Sequence, residues 1–251
     1  MPYCLVQAKS VAPGADQLKR AFKSLKALTD ADAVKLANDA CGILLKNLSA
    51  DDAGLLQRAL KSEGIATEIV DAGHLPRLPD AKFVRRMECQ PESLVIYDPL
   101  GRAVPVPWQH LILISAGTVR HFDMTTTRTE NKVTTFDPIR GARTRVVTDV
   151  RHKVEDDSAL LIDIFLTGGA IRFQTEAAAF QFKYCFDRPE LNLAQKAGLL
   201  VQMLAHHAPQ AGLNRGATAL RDGAPENAVY ASKATLLDES TWLVWRTARK
   251  P

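Results

Sequence analysis

Apolar positions recur with two different periods along the chain, and the change falls near residue 80. Before it, apolar residues recur every three or four positions in three segments, which is the spacing of an amphipathic helix. The first predicted helix covers residues 16–26, the second begins at Thr29 or Asp30, and the third runs from a cap at Ser49 to Ser62. The apolar runs around these helices predict strands at Tyr3–Lys9, Ile43–Leu48 and Ile65–Val70. In the order strand, helix, helix, strand, helix, strand, the helices would cover one face of a small sheet.

After residue 82 the apolar period is two, which is typical of strands that bury one face. The predicted strands are Phe83–Cys89, Ser93–Tyr97, Ala103–Trp108, Leu111–Ser115, Arg143–Val150, Leu160–Leu166 and Ala170–Thr175. Asp98–Gly101 is a tight-turn sequence, whereas Thr125–Asp137 is polar and lacks a period, which predicts a long mobile insertion. One helix is predicted at Leu193–His206.

These patterns predict an α+β protein in which an N-terminal βααβαβ sandwich is followed by an antiparallel β-barrel or roll closed by a C-terminal helix. The predicted divisions are a domain over 1–73, a proline-containing linker over 74–82, a β domain over 83–210 and a C-terminal extension over 211–251. In the extension, Thr241–Trp245 could form a short strand or a docking segment, and its two tryptophans favour burial against the protein's own chain.

Leu5–Val70 resembles the C-terminal domain of the bacterial ribosomal stalk protein. The resemblance rests on FKSLK in the first helix, AVKL in the second, and NLSADDA leading to LKSEG in the third. It implies that family's α/β fold, and the family recruits translation factors through basic residues of its first two helices. Lys23, Lys26 and Lys35 fall at comparable positions, although basic residues opposite an apolar stripe also form ordinary solvated faces.

The β domain looks like the pleckstrin-homology-like barrels of bacteria. This resemblance rests on the run of antiparallel strands closed by one amphipathic helix, and on Val106-Pro107-Trp108 after a turn. It implies a barrel whose open end is plugged by the helix at Leu193–His206.

Charge is distributed unevenly, and the excess of +4 lies in the middle of the chain. Residues 81–221 carry 18 basic and 14 acidic side chains, whereas the segments before and after are balanced. The basic residues Arg140, Arg143, Arg145, Arg151 and Lys153 are the candidate site for an anionic partner, because arginine pairs on one strand face can grip phosphate or carboxylate groups. The alternative is an exposed strand that its charges protect from edge-to-edge pairing.

Candidate catalytic chemistry is sparse. The sequence contains no phosphate-binding loop, dinucleotide fingerprint, nucleophile elbow or HExxH motif. The candidate metal ligands are His121 with Asp123 and His206 with His207, but their spacing does not bring them together as a ligand set. Cys185 with His152 is the candidate pair for a thiol nucleophile, but the two residues are far apart in the sequence. The four cysteines are far apart, which favours reduced thiols in a reducing compartment. We therefore predict no catalytic residue, cofactor or metal.

The sequence favours a cytoplasmic two-domain protein without a membrane span or signal peptide. We predict a non-enzymatic interaction or scaffold protein that binds another protein or a second copy of itself. The alternative is a regulator that binds a lipid or small anion through the basic face of the β domain, and a third hypothesis is an enzyme of unrecognised type. Nucleic acid stays open as a further anionic partner.

Overall fold

A computed structural model describes residues 1–39, 41–137 and 141–249, and from 121 to 157 it describes the backbone alone. The helices of these ranges are α1 (Ala15–Phe22), α2 (Asp30–Asp39), α3 (Ala50–Ser62), α4 (Leu193–His207), α5 (Arg215–Arg221) and α6 (Lys233–Ala248). The strands are β1 (Tyr3–Gln7), β2 (Ile43–Leu48), β3 (Thr67–Asp71), β4 (Ala81–Phe83), β5 (Met87–Cys89), β6 (Ser93–Tyr97), β7 (Ala103–Pro107), β8 (Leu111–Asp137), β9 (Gly141–Leu166), β10 (Arg172–Glu176), β11 (Gly212–Leu213) and β12 (Val229–Tyr230). The protein is therefore a mixed α and β structure. No helix among the described residues is long and apolar enough to cross a membrane.

The chain separates into two compact units. The larger unit contains Met1–Val119 together with the chain from Ala159 onward, and the smaller unit is Arg120–Ser158. The backbone of the smaller unit is the continuation of β8 and β9, which pair with each other.

Two sequence predictions for this region are wrong. Thr125–Asp137, predicted as a mobile insertion, is part of strand β8. Threonine is frequent in this run, and its β-branched side chain favours extended backbone even where no apolar period is present. The strands predicted separately at Arg143–Val150 and Leu160–Leu166 belong to one continuous strand, β9.

In the larger unit, β1 is the central strand of a three-stranded antiparallel sheet with the order β2-β1-β3. Helices α1, α2 and α3 cover one face of this sheet. On that face Leu5 packs in a cluster with Phe22 of α1 and Leu56 of α3, all of them buried. Ser49 begins α3 as predicted, because its Oγ accepts a hydrogen bond from the N–H of Asp52 at 3.1 Å.

Two details of these helices differ from the prediction. Helix α1 ends at Phe22, and the chain continues in a tight turn in which the N–H of Leu25 donates to the carbonyl of Phe22 at 3.0 Å. The apolar repeat of the second predicted helix places both Ala33 and Val34 toward the core, but Val34 is 40% exposed and only Ala33 is buried. Both positions fit a helical period, and tertiary packing decides between them.

The opposite face of the N-terminal sheet is covered by α6. Val6 of β1 is buried there in a cluster with Trp242 and Trp245, and the indole Nε1 of Trp242 donates to the carbonyl of Gln7 at 2.9 Å. Gly42 has a φ of 85°, and a Cβ at this position would lie 2.6 Å from the Trp242 side chain. Only glycine fits both this backbone conformation and this close approach.

The Thr241–Trp245 segment is thus helical, so the short strand predicted as one alternative is wrong. Ser232 begins α6, since its Oγ accepts a hydrogen bond from the N–H of Thr235 at 3.2 Å. The predicted burial of the two tryptophans against their own chain is confirmed.

A six-stranded sheet lies on the other side of α6. Its order is β11-β8-β9-β10-β4, and β12 also pairs with β8. One face packs against α6, where Val244 contacts the buried cluster that contains Leu113 and Phe165. The opposite face shares a large core with α4 and α5, which includes Ile162 and Leu200. Helix α6 therefore contributes to the cores of both sheets, which explains why its apolar residues are not confined to one stripe.

Strands β5, β6 and β7 form a third sheet, which is antiparallel throughout. Its Met87, Leu94 and Val106 belong to the same large core. The predicted turn between β6 and β7 is present: Asp98 Oδ1 accepts hydrogen bonds from the N–H groups of Leu100 and Arg102, both at 2.9 Å.

The predicted barrel differs from the sheets observed. Among the described residues the strands form open sheets, because β5–β7 are separate from the sheet that contains β8–β10. The strand predicted at Phe83–Cys89 is two strands, since β4 pairs with β10 and β5 pairs with β6. The division of the chain at residues 74–82 stays a prediction, although α6, from the predicted C-terminal extension, packs against the N-terminal sheet.

Candidate binding site

The predicted anion-binding residues lie in the part of β9 whose side chains are outside the description. Arg140 is outside the described residues altogether. For Arg143, Arg145, Arg151 and Lys153 the backbone belongs to β9, and the positions of the side chains are not described. The basic face therefore stays a prediction.

The three lysines of the predicted partner face are exposed but lie in different local settings. Lys23 follows the last residue of α1, Lys26 lies in the turn before α2, and Lys35 is on α2. Lys35 lines a groove of about 380 Å³ between α2, β2 and the start of α6. The acidic residues of this groove are Asp32, Asp39 and Asp238. An anionic partner would therefore meet more negative than positive charge at Lys35.

A different basic segment occupies the connection between β4 and β5, where the chain passes from the six-stranded to the three-stranded sheet. Backbone hydrogen bonds hold this segment in place. The N–H of Gln181 donates to the carbonyl of Arg85 at 2.9 Å, and the N–H of Tyr97 donates to the carbonyl of Arg86 at 3.1 Å. The backbone of both arginines is thus held by neighbouring segments, so neither residue lies in a free loop.

Arg86 lies between two tyrosines. Its Cζ is 3.9 Å from the ring centroid of Tyr97 and 3.9 Å from that of Tyr184, so both faces of the guanidinium are covered. In the guanidinium plane, Nη2 donates to Glu88 Oε1 at 2.6 Å. This hydrogen bond lowers the pKa of Glu88 and raises that of Arg86. The Nε of Arg86 is buried without a hydrogen-bond partner among the described atoms.

The stacked arginine borders an open cavity of about 480 Å³. Phe83, Arg85, Pro99 and Gln181 also line this cavity. Phe83 is 66% exposed, and Leu100, which is 77% exposed, lies between Pro99 and Gly101 of the cavity lining. Exposed apolar residues grouped around a cavity mark a binding surface more often than isolated ones do.

Positive charge predominates around this cavity. The basic residues on its lining and on the adjoining segments are Lys82, Arg85, Arg86, Arg102 and Lys183, and the acidic ones are Glu88 and Asp98. Arg102 Nε donates to Asp98 Oδ2 at 2.7 Å, and Lys183 Nζ lies 5.1 Å from the Tyr184 ring centroid. Of the five basic residues, Arg86 and Arg102 are paired with carboxylates. The basic residues still outnumber the two acidic ones, so the surface keeps a net positive charge.

Two further polar clusters are buried in the larger unit and have a structural role. In the first, Arg172 donates to both carboxylate oxygens of Asp163 at 3.0 Å, and Gln174 Nε2 donates to Oδ1 at 2.8 Å. Burial raises the pKa of Asp163, and the hydrogen bonds from Arg172 and Gln174 oppose that shift. All three residues are at most 4% exposed, so no ligand can reach them in this conformation.

The second buried cluster joins β8, α5, β12 and α6. Tyr230 Oη donates to Glu239 Oε2 at 2.6 Å and accepts from Asn214 Nδ2 at 2.8 Å, while the N–H of Arg215 donates to Glu239 Oε1 at 2.8 Å. Burial, reinforced by Glu239, raises the pKa of Tyr230. A Cβ at Gly216 would lie 2.1 Å from a backbone oxygen, so the cluster depends on close backbone approach. Its hydrogen bonds hold these elements together.

The cysteines fall into two groups. Cys4 is buried, and burial raises the pKa of Cys41 to about 12, which keeps this thiol protonated near neutral pH. Cys89 and Cys185 are partly buried, and their thiols hydrogen-bond to each other. The suggested pairing of Cys185 with His152 involves a side chain outside the description.

The histidines do not form a metal site among the residues whose side chains are described, and no group of three or more His, Cys, Asp or Glu there could hold a metal ion. His207 instead stacks on Trp108 with ring centroids 4.7 Å apart and an interplanar angle of 9°. The side chains of His121 and Asp123 are outside the description.

Comparison with known proteins gives no match: no family model, no curated protein and no solved structure matches the chain. The geometry around Arg86 makes this surface the candidate binding site. Sequence reasoning missed this site because its parts are far apart in the chain. Adjacent Arg85 and Arg86 were visible, but only the fold brings Tyr97 and Tyr184 to them.

Proposed function

We propose that this is a non-enzymatic interaction protein that binds an acidic, partly apolar segment of a partner protein on the surface around Arg86. The observation that carries the proposal is the guanidinium of Arg86 fixed between Tyr97 and Tyr184 at the edge of a cavity of about 480 Å³. Tyrosine and arginine, together with tryptophan, are enriched at the energetic centre of protein interfaces, because they contribute large contact area and directional hydrogen bonds together.

The chemistry of the surface indicates what its ligand would be. Arg85 is exposed and lines the cavity, so it is available to a carboxylate, while Phe83 and Leu100 offer apolar contact nearby. A peptide that alternates acidic and apolar side chains would satisfy both requirements. A purely acidic ligand would leave the exposed apolar area in water.

The alternative is a lipid or small-anion regulator, and one observation favours it: the cavity volume lies in the range of small-molecule sites. A membrane surface, however, is usually bound by clusters of about four to eight basic residues. Here two of the five nearby cations, Arg86 and Arg102, already have carboxylate partners. The protein ligand is therefore the better match to the charge present.

The resemblances to the ribosomal stalk domain and to pleckstrin-homology-like barrels are further proposals. We also propose, from the element order of residues 1–73 and the helices on one face of their sheet, that this segment is related to the ribosomal stalk domain. The acidic surroundings of Lys35 argue against factor binding through that lysine. The pleckstrin-homology-like kinship, the cytoplasmic location and self-association are likewise proposals, and an interaction protein is compatible with each.

Peptide selection on the immobilised full chain tests the proposed function. We expect selected peptides to be enriched in Asp or Glu together with aromatic or aliphatic residues, and their affinity to fall with added salt. Arg85→Glu and Phe83→Ser should each weaken binding by about tenfold or more, because each removes one of the two complementary contacts. Arg58→Glu on α3 makes the same charge change on another exposed position and should leave affinity unchanged.

Three results would contradict this function. Selected peptides without acidic bias, or peptides that bind Arg85→Glu as well as the parent protein, would remove the role of the Arg86 surface. Saturable, Arg85-dependent binding of inorganic phosphate or phosphatidylserine vesicles, with no selected peptide, would replace the protein ligand by the small-anion or lipid alternative.

A further inference from the structure

Cys89 and Cys185 meet at the margin of the large core, although they lie far apart in the sequence. Cys89 is the last residue of β5, and Cys185 follows the short helical turn Phe182–Tyr184. Both pack against the same buried cluster. The thiol of Cys185 donates to the carbonyl of Met87, two residues before Cys89 on β5, with a sulfur to oxygen distance of 3.2 Å.

The two thiols also contact each other directly. The hydrogen bond between them lowers the pKa of Cys89 and raises that of Cys185. Cys89 is therefore the one that more readily becomes a thiolate, and Cys185 is the one that retains its proton. Neither residue is fully buried.

We infer that Cys89 and Cys185 form a reversible intramolecular disulfide and act as a redox-modification site of this protein. The inference stands on the contact between the two cysteines and does not rest on the proposed partner. The remaining cysteines provide contrast, since neither Cys4, which is buried, nor Cys41, which has Ser10 as its hydrogen-bond neighbour, has a second thiol in the contacts described for it.

A low-molecular-weight disulfide such as oxidised glutathione supplies the oxidising equivalents. The Cys89 thiolate, having released its proton to water, attacks one glutathione sulfur, and the glutathione disulfide breaks to release one glutathione thiolate. Cys185 then loses its proton, attacks the Cys89 sulfur of the mixed disulfide and releases the second glutathione. Two protein thiols and one glutathione disulfide thus give one protein disulfide and two glutathione thiols.

The bond would join the two elements that hold Arg86. Glu88, which pairs with Arg86, immediately precedes Cys89, and Tyr184, which stacks on Arg86, immediately precedes Cys185. Oxidation would therefore tie β5 to the segment after Phe182–Tyr184 and restrict the tyrosine stack. It would also close a loop of about 100 residues, for which the chain-entropy model gives a large stabilisation of the folded state.

Thiol mapping of the full chain in graded glutathione buffers tests this inference. After alkylation and digestion without reductant, we expect a peptide that links Cys89 to Cys185, while Cys4 and Cys41 are recovered alkylated. The oxidised protein should melt roughly 5–15 °C above the reduced protein. Cys89→Ser should abolish both the link and the temperature difference, and a Cys4→Ser/Cys41→Ser double variant should retain both.

The inference is overturned if Cys89 and Cys185 are both recovered alkylated from fully oxidising buffer, or if they carry only separate glutathione adducts. It is also overturned if the linked peptide forms solely after denaturation, because the folded contact would then play no part. Failure of peptide binding at Arg85 would leave this result unaffected, so the two proposals are tested separately.

Discussion

Arg86 and Arg172 are both paired with a carboxylate, but their surroundings are opposite. Arg172 is 4% exposed, forms two hydrogen bonds to Asp163, and shares that carboxylate with Gln174. The side chain of Arg86 is 35% exposed, forms one hydrogen bond to Glu88, and is covered on its faces by aromatic rings rather than by the core.

The difference separates an ion pair enclosed in the fold from one that is open to the surface. Both oxygens of the carboxylate beside Arg172 accept hydrogen bonds from buried groups of its own chain, so this ion pair is enclosed in the protein. Arg86 has fixed geometry without enclosure, because Tyr97 and Tyr184 stack on it while one side opens to the cavity. Fixed geometry combined with access is what a recognition site requires.

The largest expected effect follows from removing the buried cation. Arg172→Met should lower the free energy of unfolding by about 3–5 kcal/mol, because it leaves the Asp163 carboxylate buried without its charged partner. Urea unfolding followed by circular dichroism measures this change. The double variant Asp163→Leu/Arg172→Met removes both charges and should recover much of the loss. A single variant as stable as the parent, or a double variant less stable than the single one, would contradict the structural role.

The corresponding substitution at the open site should affect binding more than stability. Arg86→Met keeps the apolar stem between the tyrosines but removes the charge, so we expect an unfolding midpoint closer to that of the parent than Arg172→Met shows. Affinity for selected acidic peptides should fall by about tenfold, as is common for arginines at the centre of an interface. Titration of the same peptide against both variants and the parent measures the effect. Equal loss of stability at the two arginines would remove the distinction between them.

Much of the local fold was predictable from the sequence. The β6 bounds Ser93–Tyr97 match the prediction, and α4 extends the predicted Leu193–His206 by one residue. These elements have a clear period and local capping signals, such as Asn192, whose side chain accepts a hydrogen bond from the N–H of Gln195 at 2.9 Å. Signals of this kind lie within a few residues of one another, so sequence alone contains them.

Elements that depend on distant partners were not predictable. The tryptophan segment of α6 is apolar on several sides because it packs between two sheets, and this removed the stripe by which a helix is recognised. The strand at Phe83–Cys89 divides because its two halves pair in different sheets, a choice that no local signal encodes. The candidate site shares this cause, since Arg86 lies at that division and its aromatic partners come from other strands and turns.

The smallest expected effect is a shift in the titration of Glu88. Its pKa lies below the ordinary glutamate value because Arg86 donates a hydrogen bond to the ionised carboxylate. A lowered folded-state pKa stabilises the fold above the ordinary value of about 4.3, and this contribution is lost as the pH falls through the lowered pKa. In Arg86→Met the Glu88 pKa should therefore rise, which carboxyl-carbon NMR can follow. Glu63, whose pKa is lowered by Arg20, provides an internal control that should not move. A Glu88 pKa that is the same in both proteins would show that the ion pair does not persist in solution, and the surface around Arg86 would lose the fixed geometry that sets it apart from an ordinary exposed arginine.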